Sequence, residues 1–289
     1  MAMRNVAILT RKRPHGLALI AVLWVVAALA ILVTGFSRLA RDEVGLASSL
    51  RQGVVAQAAG DAAIALALQE LAARPTPISR TVHADFAYHG VQMSVTVMPL
   101  NGLIDINSAT IPLLARLYEI AGGLSADAAQ ALAQSTVDVR SKVGPTNQAD
   151  RFEAVEDLLR VPGVDYDLYA RLSPLVTVYV RAGGRVNPMA APLQVLTVLA
   201  NGDASVASRI VQERDSGIEG IDTTALDPAY TAVSSVRRYR VEARVPLADG
   251  VQLRVARVID LGRNSRDGLP WRTLHNERSF EPLSRTVTR

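Results

Sequence analysis

Residues 11–36 read RKRPHGLALIAVLWVVAALAILVTGF, and this stretch decides how the rest of the chain is organised. Its first six residues contain three basic side chains and end in Gly16, and the 20 residues from Leu17 to Phe36 carry no charge. About 20 consecutive apolar residues are the length of a helix that spans a bilayer. Because the leader charges, Arg4 and residues 11–13, all precede this segment, we expect the N-terminus to stay in the cytoplasm.

The helical pattern continues as an amphipathic extension over residues 37–74. This stretch contains no proline, and Pro75 and Pro77 are expected to end the helix. Apolar residues recur every four positions along one face, with charged and amide side chains opposite. The apolar stripe comprises Leu46, Leu50, Val54, Ala58, Ala62 and Leu66.

Beyond the prolines, the hydrophobic period changes from that of a helix to that of a strand. Alternating residues on both sides of His89-Gly90 predict a β-hairpin over residues 79–99. A second hairpin is predicted over residues 234–262 by the same pattern. Its arginines, at positions 238, 240, 244, 254 and 257, are expected to form a solvated sheet face, with a partner-binding patch as the alternative. The C-terminal tail, residues 263–289, is expected to be loose surface.

Residues 100–233, between the hairpins, predict a helical insert made of two similar halves. The segments beginning Asn107-Ser-Ala-Thr110-Ile-Pro112-Leu and Asn187-Pro-Met-Ala-Ala-Pro192-Leu share the Asn-to-Pro spacing. Asparagine or threonine can cap a helix, and proline is tolerated in its first turn, so each copy is expected to start a helix. Each continues into a second helix, over residues 125–139 and 203–214.

A segment of the insert, Phe152–Val164, resembles a helix-hairpin-helix with a Pro162-Gly163 turn, and such modules often bind nucleic acid. Binding of that kind needs positive charge. Residues 101–233 carry 10 basic and 16 acidic side chains, a net charge of −6, and Asp165 and Asp167 follow the turn. We therefore expect no nucleic-acid binding and interpret the insert as a protein-interaction domain.

Catalytic motifs are absent from the sequence. The four histidines are dispersed without metal-ligand spacing, and the chain has no cysteine, Walker loop or nucleophile elbow. A non-enzymatic protein without a cofactor is predicted. Calcium is kept as an alternative, because oxygen ligands could gather from four aspartates in loop-like stretches, namely Asp165, Asp167, Asp222 and Asp227.

The N-terminal pattern resembles type IV pilins and type II secretion pseudopilins. In these families a prepilin peptidase cuts after the leader glycine, here between Gly16 and Leu17, and the new N-terminus, Leu17, is methylated. Most relatives carry a glutamate at the fifth mature position, where this chain has Ala21. A carboxylate in lipid is costly unless it is paired, and a subunit that starts a fibre has no earlier neighbour to pair with it. This departure points to the K-type minor pseudopilins.

The rest of the chain resembles that family as well. Residues 102–107 and 185–187 are similar to the motifs with which the family's two helical halves begin, although Pro188 departs from the pattern. Residues 270–274 are similar to the family's C-terminal segment. The resemblance implies an α+β, pilin-like fold: a long transmembrane and amphipathic helix, a small antiparallel sheet of hairpins, and a large two-part helical insert.

The resemblance also implies a role and partners. The chain would sit at the tip of a type II secretion pseudopilus and support protein export across the outer membrane. It would be anchored once in the inner membrane, with its C-terminal domain in the periplasm. Other minor pseudopilins and the major pseudopilin would bind it, the former at Leu46, Leu50 and Val54. The prepilin peptidase and the secreted substrate are the remaining implied partners.

Three alternatives remain open from the residues. The N-terminus would also suit an uncleaved signal anchor on a periplasmic protein. The same leader occurs in minor pilins of type IV pili. A membrane-anchored helix-hairpin-helix receptor for DNA is the third, although the net charge of −6 over residues 101–233 opposes it.

Overall fold

The chain divides into two compact units, Met1–Val55 and Ala56–Arg289. The computed structural model describes residues 15–88, 90–142, 151–180, 183–218, 220–247, 250–262 and 268–283. Helix α1, His15–Ala73, begins in the first unit and ends in the second, just before Pro75. The long N-terminal helix predicted from the sequence is therefore confirmed, and residues 1–14 of the leader lie outside the described residues.

The second unit is built on a five-stranded antiparallel sheet in the order β1-β2-β5-β6-β7. Its strands are β1 Val82–Tyr88, β2 Val91–Pro99, β5 Arg238–Pro246, β6 Val251–Asp260 and β7 Arg272–Pro282. β1 pairs with β2, and β5 with β6, so both predicted hairpins are confirmed. β2 and β5 are neighbours although 138 residues of the chain separate Pro99 from Arg238, which means that everything between them is an insertion into the sheet.

One face of this sheet is covered by the C-terminal part of α1. Small residues of the helix, such as Ala59, Ala63 and Ala67, are buried together with Ile64 and Leu68. Alternate residues of the strands meet them, and this cluster includes Val95, Val241, Ala243, Leu253 and Val255. Because alanines keep the helix surface shallow, α1 can lie close to the pleated sheet, and the apolar area removed from water stabilises the pairing.

The expectation that residues 263–289 form loose surface is wrong for their central part. Residues 272–282 are strand β7, which pairs with β6 along its whole length, with a register shift at Val258/Ile259. Trp271, just before the strand, is only 8% exposed and belongs to the cluster that packs on α1. Strand β7 is mostly polar and partly exposed, so its sequence lacks the apolar alternation that predicted the other strands.

The insert between β2 and β5 forms its own hydrophobic core. Its helices are α2 Ile111–Arg116, α3 Ala126–Ser141, α4 Tyr166–Leu172, α5 Leu193–Leu199 and α6 Ala204–Asp215. Short 3-10 turns and one parallel pair of two-residue strands, β3 Ile104–Asp105 and β4 Val176–Thr177, precede the second half. Val258 of β6 belongs to the same core, so the insert also packs on the second face of the sheet.

The two second helices of the repeat begin where predicted, and a side chain caps each of them. The Ser125 hydroxyl accepts a hydrogen bond from the backbone N–H of Ala128 at the start of α3. At the start of α6, the Asp203 carboxylate accepts from the N–H groups of Ser205 and Val206, at 2.9 and 3.2 Å. These bonds satisfy amides that lack partners within the helix.

The first helices of the repeat begin differently from the prediction. Thr110 occupies the N-cap position of α2 without a capping side-chain hydrogen bond, and Pro192 is the N-cap residue of α5. Neither Asn107 nor Asn187 caps a helix, because the side chains of both are bonded to other segments. Pro112 lies in the first turn of α2 as expected.

Candidate functional site

The predicted processing and partner-binding residues all lie on helix α1. Gly16 and Leu17 are at its N-terminal end, and Leu46 lies in its middle, but the side chains of Leu17 and Leu46 fall outside the described residues. Leu50 and Val54 are 63% and 68% exposed. A leucine and a valine that are so far exposed on one helix leave apolar area that a partner could bury. Their role in binding stays a prediction.

The apolar segment of α1 is exposed wherever its side chains are described. Between Ile20 and Leu32, the exposed large residues include Val22, Leu23, Trp24 and Leu29. By length and hydropathy, the part of the described chain that qualifies as a membrane span is Ser48–Ala73, of which 44% is buried against the protein. That burial is typical of a helix that packs on a core, since Ala56–Leu71 covers the sheet.

Asn187 and Asn101 hold the chain together where the sheet meets the insert. The Asn187 amide donates to the carbonyl of Ser79, before β1, and to that of Ser234, before β5. Asn101 donates to the same Ser234 carbonyl at 2.9 Å, and its own carbonyl accepts from the N–H of Asn187. Both asparagines are at most 1% exposed. One buried asparagine from each half of the insert thus closes its entry and exit.

Asn107, the counterpart of Asn187 in the first repeat, performs the same function within the insert. Its amide nitrogen donates to the carbonyls of Phe152 and Val178, at 2.9 and 3.3 Å. Its amide oxygen accepts from the N–H of Phe152 at 3.0 Å. The repeated asparagines therefore cross-link distant segments, which explains their shared spacing better than helix capping does.

We expect Asn107→Ala to destabilise the folded chain by about 2 kcal/mol, since it leaves the N–H of the buried Phe152 without its acceptor. Denaturant unfolding followed by circular dichroism measures this loss. Asn276→Ala, which truncates an exposed asparagine on β7, is the matched control and should change stability by less than about 0.5 kcal/mol. Equal stability of the two variants would contradict a cross-linking role for Asn107.

The helix-hairpin-helix prediction is confirmed only in its outline. A 3-10 helix, Val155–Arg160, precedes the Pro162-Gly163 turn, in which Gly163 has a φ of 99°, and α4 follows. The Asp165 carboxylate caps α4 by accepting from the N–H of Leu168 at 2.7 Å. A carboxylate on these amides occupies the place where a phosphate would bind in a nucleic-acid module.

Three of the four aspartates considered for calcium, which also include Asp167, are engaged separately. Asp165 caps α4, Asp222 accepts from the hydroxyl of Thr224, and Asp227 pairs with Arg116 at 3.3 Å. Across the described residues, no three His, Cys, Asp or Glu side chains form a group that could hold a metal ion. Calcium binding stays a prediction.

Most arginines of the second hairpin do not form the solvated face that was expected, and only Arg244, at 42% exposure, is largely open to solvent. Arg257 lies on the face of the sheet that α1 covers, and it pairs with Asp61 of α1 at 2.7 Å. Arg254 lies on the opposite face of the sheet, where it is 11% exposed and pairs with Glu242 at 2.8 Å and with Glu277 of β7 at 2.7 Å. Arg240 is 18% exposed and reaches the same Glu277 at 3.0 Å. Arg240 and Arg254 are sheltered because the insert packs on their face of the sheet, whereas Arg257 is covered by α1.

Burial and the neighbouring charges shift the pKa values of Arg240 and Glu277. Burial, together with the neighbouring Arg254 guanidinium, lowers the pKa of Arg240, against the opposing effect of Glu277 and Glu242. Burial alone would raise the pKa of Glu277, but the hydrogen bond and charge of Arg254, with the charge of Arg240, lower it below its usual range. Glu277 is therefore a carboxylate at neutral pH.

The fold is shared with a protein of known structure. No known family profile and no curated protein sequence matches this chain. A chain of the GspK–GspI–GspJ complex from the type 2 secretion system of enterotoxigenic Escherichia coli superposes with a TM-score of 0.51. The match covers 80% of this chain and 97% of that chain, at 13% sequence identity.

The two proteins have the same fold. The resemblance inferred from the sequence is thus confirmed at this level, and so is the predicted fold class of a long N-terminal helix with an antiparallel sheet and helices. The sequences have diverged so far that the likeness concerns the fold, while function has to be argued from residues.

Sequence reasoning missed the ion-pair network on the sheet. Its signal was present in Arg240, Glu242 and Arg244, which alternate along β5 and so share one face. Arg254 lies opposite Arg244 on β6. Glu277, which completes the network, lies in a segment that was expected to be loose. Because the sequence does not predict strand β7, it shows no acidic side chain on a neighbouring strand and therefore predicts that the arginines face solvent.

Proposed function

We propose that this chain is a minor pseudopilin of a type II secretion system, a structural and non-enzymatic subunit that binds other pseudopilins. The observation that supports this most is the shared fold with a chain of the GspK–GspI–GspJ complex over 80% of the present chain. A long apolar helix joined to a sheet with a large helical insert suits an assembly subunit, because one part anchors and the other presents surface.

The described apolar side chains of α1 support an inner-membrane anchor. Those from Ile20 to Leu32 are 54–73% exposed, which in water would be unfavourable for so many large residues. A bilayer would cover them, and the basic leader would keep the N-terminus in the cytoplasm and the sheet and insert in the periplasm. A prepilin peptidase would then have access to the Gly16–Leu17 bond.

Ala21 supports a position at the tip of the pseudopilus. A carboxylate at this depth in lipid would need a positively charged neighbour, and the first subunit of a fibre has none before it. The major pseudopilin would follow this chain in the fibre, and the secreted protein would meet its periplasmic insert. The minor-pilin alternative differs only in the system that surrounds the chain.

The test of this proposal uses the exposed apolar residues of α1. Replacing Leu50 and Val54 together by aspartate should lower co-purification with partner minor pseudopilins by at least about tenfold, because each side chain contributes about 1.5–3 kcal/mol when buried. Quantitative pull-down from detergent-solubilised membranes measures the effect, and secretion of a reporter substrate should fall with it.

The matched control replaces two equally exposed apolar residues of the second unit, Ile218 and Val233, by aspartate. These are 51% and 69% exposed, so they control for surface hydrophobicity and added charge. Partner recovery should then stay near that of the unaltered chain. If both double variants lose the partners equally, or neither does, the helix stripe is not the interface.

A further inference from the structure

A cleft of about 1040 Å³ lies between the sheet and the insert, and neither the fold comparison nor the proposed assembly gives it a function. Strands β5, β6 and β7 form its floor through Arg240, Arg254 and Glu277. The opposite wall comes from the insert and includes Tyr169 and Tyr179. This volume is as large as that of sites that enclose a sizeable ligand.

The charged side chains on the floor of the cleft differ in how deeply they are buried. Three side chains are deeply placed, namely Arg254, Glu242 and Arg240, at 11%, 12% and 18% exposure. The carboxylates of Glu277 and Glu281 lie nearer the rim, at 41% and 36% exposure. At depth the two guanidinium groups outnumber the one carboxylate, and the carboxylate of Glu277 reaches in from the rim to balance them.

The contacts of Glu277 show that this pair of arginines can bind a carboxylate. One of its oxygens, Oε1, lies 2.7 Å from Nη1 of Arg254, and the other, Oε2, lies 3.0 Å from Nη2 of Arg240. A single carboxylate thus bridges two guanidinium groups that stand on neighbouring strands. Charge-assisted bonds of this kind are stronger than neutral ones and fix the orientation of the anion.

We propose that the cleft binds an extended acidic peptide, one carboxylate of which replaces Glu277 on Arg240 and Arg254. Glu277 then acts as an internal occupant that the peptide displaces, and its place on the edge strand β7 leaves it room to turn towards solvent. The proposal does not depend on the pseudopilus role.

The other lining residues favour a peptide over a smaller or more highly charged anion. Apolar side chains lie beside the arginines, among them Leu175, Val176, Ala256 and Val258, and would cover an aliphatic backbone segment. Glu281 and Glu156 also line the cleft and would repel a ligand that carries many negative charges, such as a phosphate chain. A segment with one carboxylate among uncharged residues satisfies both features.

The test measures binding of a fluorescein-labelled alanine- and serine-containing peptide with blocked ends and one central glutamate to the full chain in uncharged detergent, by fluorescence polarisation. Glu277→Gln should raise the affinity about tenfold, because it weakens the internal competitor. Arg254→Gln should lower it about tenfold, because it removes one half of the anion site. The same peptide with glutamine in place of glutamate should bind neither variant.

Two matched variants control for the change in net charge. Glu119→Gln and Arg272→Gln alter exposed residues outside the cleft lining and should leave the affinity unchanged within about twofold. Circular dichroism checks folding, and if Arg254→Gln does not fold, the gain expected from Glu277→Gln still tests the proposal. No gain in Glu277→Gln, equal binding of the glutamine peptide, or binding of inorganic phosphate or single-stranded DNA in place of the peptide overturns it.

Discussion

Gly102→Ala is expected to lower the melting temperature of the chain by roughly 6–12 °C, which corresponds to about 3 kcal/mol for a protein of this size. A Cβ atom at this position would lie 2.3 Å from the carbonyl oxygen of Ala190 and 2.4 Å from its carbon. Both are backbone atoms, and Ala190 is completely buried, so nothing flexible can move aside. The 3-10 turn at Gly102 would have to separate from the segment that follows Asn187.

The expected loss comes from the contact and not from backbone freedom. Gly102 is not among the glycines with positive φ, so alanine can adopt its conformation. Gly53→Ala is the matched control, because a Cβ there meets no atom within 4 Å, and it should stabilise helix α1 by about 0.5–1 kcal/mol. Thermal unfolding of the full chain in detergent separates the two. A Gly102→Ala chain as stable as the unaltered one would show that the two halves of the insert meet less closely here.

Replacement of Gly16 by leucine is expected to abolish maturation in cells that contain a prepilin peptidase. The pilin-like leader implies that the residue before the cut must fit a tight pocket, which a branched side chain would fill. Mass spectrometry of membrane extracts should find the unaltered chain beginning at methylated Leu17 and the Gly16→Leu chain beginning at its original N-terminus. Gly16→Ala should be processed better than Gly16→Leu, since a methyl group adds little volume.

Gly35→Leu is the control at the other end of the apolar segment. It alters a glycine as well, but lies 19 residues beyond Gly16, so processing at Leu17 should continue. A signal peptide would instead be cut after the apolar segment, near residue 36. A mature chain that starts there, or an unaltered chain that keeps Met1 beside an active peptidase, would exclude the pilin-like maturation.

Local sequence periodicity by itself determined the main elements. The helix over α1 follows from a long proline-free stretch that ends at Pro75, and hydrogen bonds within a helix need no distant partner. The hairpins β1–β2 and β5–β6 follow from alternation on both sides of a short turn. Caps such as Ser125 and Asp203 were predictable for the same reason, because each bonds to amides within three residues.

Tertiary structure alone decided the elements whose partners are far away in the chain. The repeated asparagines looked like helix caps, yet Asn107 bonds to Phe152 and Asn187 to Ser79, 45 and 108 residues away. Strand β7 forms by pairing with β6, since its mostly polar sequence has no apolar alternation of its own.

The charged cleft was likewise predictable from the sequence only in part. Sequence placed Arg240 and Arg254 on one face of a sheet, but it could not show that the insert would cover that face or that Glu277 would bridge them. Burial and ion pairing depend on which surfaces come into contact when the chain folds, and a local sequence pattern does not specify the surface that will pack against it.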